Sequence, residues 1–159
     1  MPALEAMYPY NRVQKVSAYI TPFTAMKLLK KSPLNQYYFK IDIDADDCAT
    51  IAVMLLSGCR PRALQMEFNY DIPWPWAFSL YPLSHYAYTV HYGFQSCSLG
   101  FAWALMKAFN YSLVLAGGTK DLIFVHESSM EGLNELDPEG TSHKFGTYLV
   151  SYLELETFH

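Results

Sequence analysis

No stretch of this chain runs long enough in uninterrupted apolar residues to cross a bilayer as a helix, so no membrane partner is expected. Positive charge is scarce too. Eleven Lys and Arg stand against fifteen Asp and Glu, for a net charge of −4, and no basic run forms, which argues against a nucleic-acid backbone as partner. Cysteine is limited to Cys48, Cys59 and Cys97, an odd number without CxxC spacing. Structural zinc is therefore not expected, and reduced, mostly buried thiols in a cytoplasmic protein are. The opening Met1-Pro2-Ala3-Leu4-Glu5 lacks the charged-then-apolar pattern of a secretory signal, in line with a cytoplasmic location. No internal repeat is visible. What is abundant is apolar and aromatic side chain: 52% of the 159 residues are hydrophobic, which suits one ordered domain, 1–159, with a substantial core.

The most informative stretch is Tyr38-Phe39-Lys40-Ile41-Asp42-Ile43-Asp44-Ala45-Asp46-Asp47-Cys48. Tyr37 to Ile43 is aromatic and β-branched, which predicts a strand. Cys48 to Leu56 is apolar and bounded by Ser57-Gly58, which predicts a buried helix. Four aspartates thus sit where a strand hands over to a helix. Ala63 to Phe68 predicts a second strand ending in polar groups, and strand, helix, strand makes one βαβ unit. In open α/β sheets ligands bind at the edge where such strands end.

Around this unit the remaining elements fall in order. Val13 to Ile20 alternates weakly and predicts a short strand. Thr21 as N-cap and Pro22 at the first helical position predict a helix to about Lys31. Asp71-Ile72-Pro73-Trp74-Pro75-Trp76, with two prolines, predicts a rigid loop. Ala77 to Phe94, rich in tyrosine and carrying His85 and His91, reads as a long insertion over the ligand edge. Ser96-Cys97-Ser98 opens a helix over Leu99–Phe109, and Asn110-Tyr111 ends it. Tyr111–Ala116 and Leu122–His126 read as a β-hairpin, with Gly117-Gly118 supplying positive φ. Past Glu127 the chain is polar until Phe145–Leu153, a strand or helix. An antiparallel hairpin closing a parallel pair gives a mixed α/β sheet.

At this point the residues resemble a family. Lys40-Ile41-Asp42-Ile43-Asp44-Ala45-Asp46-Asp47 is similar to the K-[IV]-D-[VI]-[ED]-G-x-[ED] segment of FkbM-like, S-adenosylmethionine-dependent methyltransferases, where it forms the fourth strand and the turn after it. Pro61 to Asn69 resembles the family's fifth strand. Leu99–Phe109, Asn110-Tyr111-Ser112-Leu113 and Asp121–Glu127 resemble its closing helix, its "GY" step and its terminal hairpin. The likeness covers 13–127 as a methyltransferase-like core, with 128–159 as a C-terminal extension. It implies a partial Rossmann-like methyltransferase sheet, with methyl transfer to a small-molecule or sugar hydroxyl when the domain is complete. One departure stands out: nothing upstream of Thr21 resembles the Gly-rich cofactor loop, so the chain looks like the second half of such a domain. A sheet without its first strands exposes an edge, and a homo-oligomer through that edge is the expectation.

The resemblance implies a role for Asp42 at the end of the fourth strand, facing cofactor and substrate, against the plainer alternative of pairing with Lys40. Asp44, Asp46 and Asp47 sit where acids also offset a helix macrodipole, with Asp47 at the position of the family's second acid. Glu67 and Asn69 end the neighbouring strand beside Asp42, where a Glu either accepts a substrate proton or bonds a loop N–H. Asp42-Ile43-Asp44 also has the DxD form used by some glycosyltransferases for a divalent metal, a weaker reading with no basic phosphate partner nearby. The site residues are therefore Asp42, Asp44, Asp47, Glu67 and Asn69, with S-adenosylmethionine as cofactor near Asp42 and no metal. The alternative is a non-catalytic interaction protein. Cys97, His85, His91, Trp74 and Trp76 are read as packing or solvent contacts.

Overall fold

The computed structural model describes residues 17–29, 37–43, 46–79, 96–117 and 120–143. The strand predicted over Val13–Ile20 is not formed at 17–20, which are irregular, and 13–16 lie outside the described residues. The first helix, α1 (Pro22–Leu29), starts where the Thr-Pro pair predicts. Thr21 Oγ1 accepts the Thr24 N–H at 3.2 Å while Thr24 Oγ1 accepts the Thr21 N–H at 2.8 Å. This reciprocal cap satisfies two amides at the helix start that would otherwise lack partners.

The βαβ unit forms with different bounds. β1 is only Tyr38–Lys40, shorter than the run Tyr37–Ile43 predicts. The Ile41 N–H still reaches the Gln65 carbonyl at 3.0 Å, but the Ile43 N–H turns to the Asp47 carboxylate at 3.2 Å. The strand ends because its next donor is taken by a side chain of the following helix. α2 (Asp47–Leu56) ends at Gly58, whose φ of 92° few other residues adopt. There Gly58 N–H bonds Leu55 O and Cys59 N–H bonds Met54 O, a Schellman-type stop. β2 (Ala63–Glu67) then lies parallel to β1, with Tyr38 opposite Ala63 and Lys40 opposite Gln65.

α3 (Leu99–Lys107) is capped by Ser98, whose Oγ accepts the Phe101 N–H at 3.2 Å, and Asn110, at φ 64°, makes the left-handed turn into the hairpin. β3 (Tyr111–Gly117) and β4 (Asp121–His126) form that hairpin, with a register shift between Leu113 and Leu115. Gly117 pairs with Asp121 as an ordinary strand residue without positive φ, so the role predicted for it is not filled, and Gly118 lies outside the described residues. β4 inserts antiparallel beside β2, giving the order β1–β2–β4–β3. Among the described residues the fold is α/β with a four-stranded mixed sheet, one parallel pair and two antiparallel ones, not closed into a barrel.

Period-two alternation sends Leu64 and Met66 of β2, and Leu122 and Phe124 of β4, to one face, where they join Ile51, Met54 and Leu55 of α2 and Met106 of α3 in a single core. All eight are fully buried. α1 packs on α2. The segment past β4 returns to this body. Leu136 N–H bonds the Leu113 carbonyl at 2.7 Å, Glu135 pairs with Lys107 at 2.6 Å, and Asp137 accepts the Gly140 N–H ahead of a helical stretch at 138–143. The element predicted over Phe145–Leu153 lies outside the described residues.

The expectation of reduced thiols is corrected for two of the three cysteines. Cys48 and Cys97 form a disulfide with their Cα atoms 6.0 Å apart, and only Cys59 remains a buried free thiol. Spacing alone could not foresee this, since 49 residues separate the pair and the fold alone brings α2 and α3 side by side.

Candidate functional site

The ends of β1 and β2 point the same way because the two strands are parallel, so their following residues gather at one sheet edge. Extending the register by two residues brings Asp42 level with Glu67. Asp42 is half-exposed and bonds Lys40 across 2.8 Å, so the pairing alternative is realised in geometry. The Lys40 ammonium is held above the usual lysine range, first by its hydrogen bond to Asp42, with desolvation opposing, and then by the charges of Asp42, Asp121 and Glu67. One cation therefore sits in the field of three carboxylates.

Gln65 ties this edge to the hairpin. Its side-chain oxygen accepts from the Tyr38 hydroxyl, and its amide donates to Asp121 at 2.7 Å. Neither Gln65 nor Asp121 is a candidate from sequence, because their nearness depends on β4 lying between β2 and β3.

The remaining predicted residues separate. Asp47 is fully buried in the first turn of α2, and its carboxylate closes the β1–α2 turn through the Ile43 N–H. Asp46 stands at the N-cap position with no side-chain cap bond, and burial pushes its carboxyl up. Asp44 lies outside the described residues, as do His85 and His91. Glu67 is partly buried at the end of β2, where its carbonyl accepts from the Ser96 hydroxyl at 2.7 Å. Asn69 is buried, and its side-chain oxygen accepts the Asp71 N–H at 2.9 Å while its own N–H bonds the Cys97 carbonyl at 2.8 Å. Its geometry is that of a residue folding the loop back on itself. Among the described residues no group of three or more His, Cys, Asp and Glu side chains converges as a metal site would require.

A cavity of about 380 Å³ lies beside Asp42. Ala25 and Leu28 of α1, Phe39 of β1, Thr50 of α2 and Ile43 line it. The Thr50 hydroxyl is buried and finds no hydrogen-bond partner among the described residues. A buried hydroxyl left unbonded costs about 1–3 kcal/mol. The size falls within the range of small-molecule sites, and the lining is apolar with few polar groups, the usual composition of such sites. Sequence could signal neither α1 nor Thr50 as part of it, because the wall exists only once α1 packs on α2.

No protein-family model, no curated protein and no solved structure matches the chain. No helix among the described residues is long and apolar enough to cross a membrane.

Proposed function

We propose that this chain forms the substrate-side part of an S-adenosylmethionine-dependent, FkbM-like methyltransferase domain, acting on a small-molecule or sugar hydroxyl when the domain is complete. The observation that carries the reading is the juxtaposition of Asp42 with an apolar cavity at the end of a parallel strand pair. The order of elements supports it: strand, helix, strand, helix and closing hairpin succeed one another as the resemblance implies.

The residues present fit part of the cofactor. The apolar lining, the unbonded Thr50 hydroxyl and the Asp42 carboxylate suit an adenosine group with its ring edge and ribose hydroxyls. The described glycines offer no backbone cradle for the rest. Gly58, Gly117 and Gly132 face open space, the room beside Gly100 is filled by the Trp76 and Pro75 carbonyls, and that beside Gly140 by the Asp137 carboxylate. When bound, S-adenosylmethionine would supply an electrophilic methyl group. The chain's own part is to hold an acceptor hydroxyl at the acidic edge, where Glu67 or Asp42 takes its proton, and to keep Lys40 charged beside them.

The test is calorimetry of the chain with S-adenosylmethionine, compared across native protein, Asp42→Asn and Asp46→Asn. Weak, saturable binding with a Kd of order 1 mM is expected for the native chain and Asp46→Asn, lost in Asp42→Asn without a change in melting temperature. Tight one-to-one binding would mean that a cofactor cradle exists beyond the described residues. No binding by any form would favour the alternative, an interaction protein, which the Lys40–Asp42 ion pair also suits because it leaves the acid already partnered. In either reading the outer edge of β1, which pairs with no strand among the described residues, is the proposed surface for self-association. Sedimentation should show dimers, and a monodisperse monomer would remove that part of the proposal.

A further inference from the structure

Two cysteines meet where the two strand-end turns meet. Cys48 is the second residue of α2, and Cys97 directly precedes Ser98, the N-cap of α3. They are disulfide-bonded across a sequence separation of 49, and both side chains are buried. The neighbours of each hold one strand end in place. Beside Cys48, the Asp47 carboxylate accepts the Ile43 N–H and closes the turn after β1. On the other side, the Cys97 carbonyl accepts the Asn69 N–H, and the Ser96 hydroxyl donates to the Glu67 carbonyl. The bond therefore staples the turn that carries Asp42 to the segment that carries Glu67 and Asn69.

We propose that the Cys48–Cys97 disulfide is a redox-controlled clamp on this strand-end edge. In the closing direction the two thiols pass two electrons and two protons to a low-molecular-weight disulfide. A mixed disulfide forms first; the second protein thiol then displaces the small thiol, leaving the Cys48–Cys97 bond and two small thiols. A small dithiol reverses the exchange. Because both sulfurs are buried, a reductant meets them only when the edge opens, so the redox state and the opening of the edge are coupled. Cys59 stands apart. It lies past the end of α2 next to Arg60, and burial pushes its thiol up, which keeps it protonated and a poor competitor in exchange. The clamp does not depend on the methyltransferase reading, since it concerns how the edge is held and not what binds there.

The experiment takes the full chain equilibrated with oxidised or with reduced glutathione. Denaturation, alkylation and mass measurement should find one alkyl group, on Cys59, in the oxidised sample and three in the reduced one. The oxidised form should melt roughly 10 °C higher, the scale expected for a loop of this length in a domain of this size. By hydrogen exchange, reduction should strip protection from the Ile43 and Asn69 amides while the amides of Ser112 and Val125, paired across the hairpin, keep theirs. Cys59→Ser should leave every one of these responses in place. Three alkylated cysteines after oxidation, equal melting temperatures, or a loss of protection spread evenly into the hairpin would each overturn the clamp. The double variant Cys48→Ser/Cys97→Ser should melt like the reduced native chain whatever the glutathione state; should it not fold, the native chain in its two redox states decides alone.

Discussion

The hairpin side and the β1 side of this sheet are built to different standards. β2, β4 and β3 are five to seven residues long, and their core-facing Leu64, Met66, Leu113, Leu122 and Phe124 are wholly excluded from solvent. β1 has three residues and one strand neighbour among the described residues, and its Tyr38 is 49% exposed. The βα turn after β1 carries Asp42 and borders the cavity. Stability is thus concentrated away from Asp42 and the cavity, which sit on the thinner element, and of the candidate acids only Glu67, at the end of β2, belongs to the better-packed side. Binding regions are commonly drawn from the less stable parts of a fold, since ordering a site too firmly leaves it nothing to gain from a ligand.

The sharpest way to break this comparison is a pair of truncations. Phe124→Ala removes a fully buried ring from β4 and should cost about 3–5 kcal/mol in urea unfolding. Ile43→Ala, at the partly buried cavity wall, should cost about 1 kcal/mol, because the side chain gives up less contact. Equal costs would mean that both sides of the sheet are packed alike.

A smaller effect, opposite in sign to the usual one, is expected at Gly100. Gly→Ala inside a helix ordinarily stabilises by about 1 kcal/mol. Here the added Cβ would sit 2.6 Å from the Trp76 carbonyl oxygen and 2.8 Å from that of Pro75, both backbone atoms that cannot rotate away. Gly100→Ala should therefore destabilise by about 1–3 kcal/mol, measured by the same unfolding curve. A gain in stability would show that the proline loop does not press on α3 as closely as the structure has it.

The smallest effect at neutral pH concerns Tyr111. Its ring is buried under the hairpin and its hydroxyl donates to the Pro61 carbonyl at 2.7 Å. Burial first, opposed by the charge of Arg60, raises its pKa from 10.0 to about 12. The folded state holds this proton more tightly than the unfolded one, so the contribution is fully present below pH 10 and is lost as pH rises toward 12. Melting temperature against pH should fall more steeply for the native chain than for Tyr111→Phe between those limits. Parallel curves would mean that the phenol is not held neutral by burial. At pH 7 the Phe variant should lose about 1 kcal/mol with the hydrogen bond.

Much of the local structure was legible in advance because its causes are local. Thr21-Pro22, Ser98, Gly58 and Asn110 start or stop elements through their own backbone preferences and side-chain bonds, so residue type predicts position. The hairpin was legible for the same reason, although Gly117 was not needed for positive φ. β1 was overestimated because an apolar, β-branched run reports what can enter a strand, whereas the buried carboxylate of Asp47, beyond the strand's end, decided where this one stops.

By itself the sequence determined the order and type of the elements from α1 to β4, though not the irregular course of 17–20 or the helical stretch at 138–143, and the placing of acids at a strand-to-helix handover. Only the tertiary structure decided that Asp47 is buried as the closure of that handover, that Asp42 pairs with Lys40, and that Asn69 folds its own loop. It also decided that α1 and Thr50 wall a cavity beside Asp42, and that Cys48 and Cys97 are joined and not free thiols. The division has one physical reason. Helix caps, turns and periodicity act over a few residues, where the order of the chain is itself a distance. Burial, charge pairing and disulfide formation depend on which surfaces meet after the chain has turned back on itself, and residues 49 apart in sequence are as near as neighbours only once α2 and α3 lie together over the sheet.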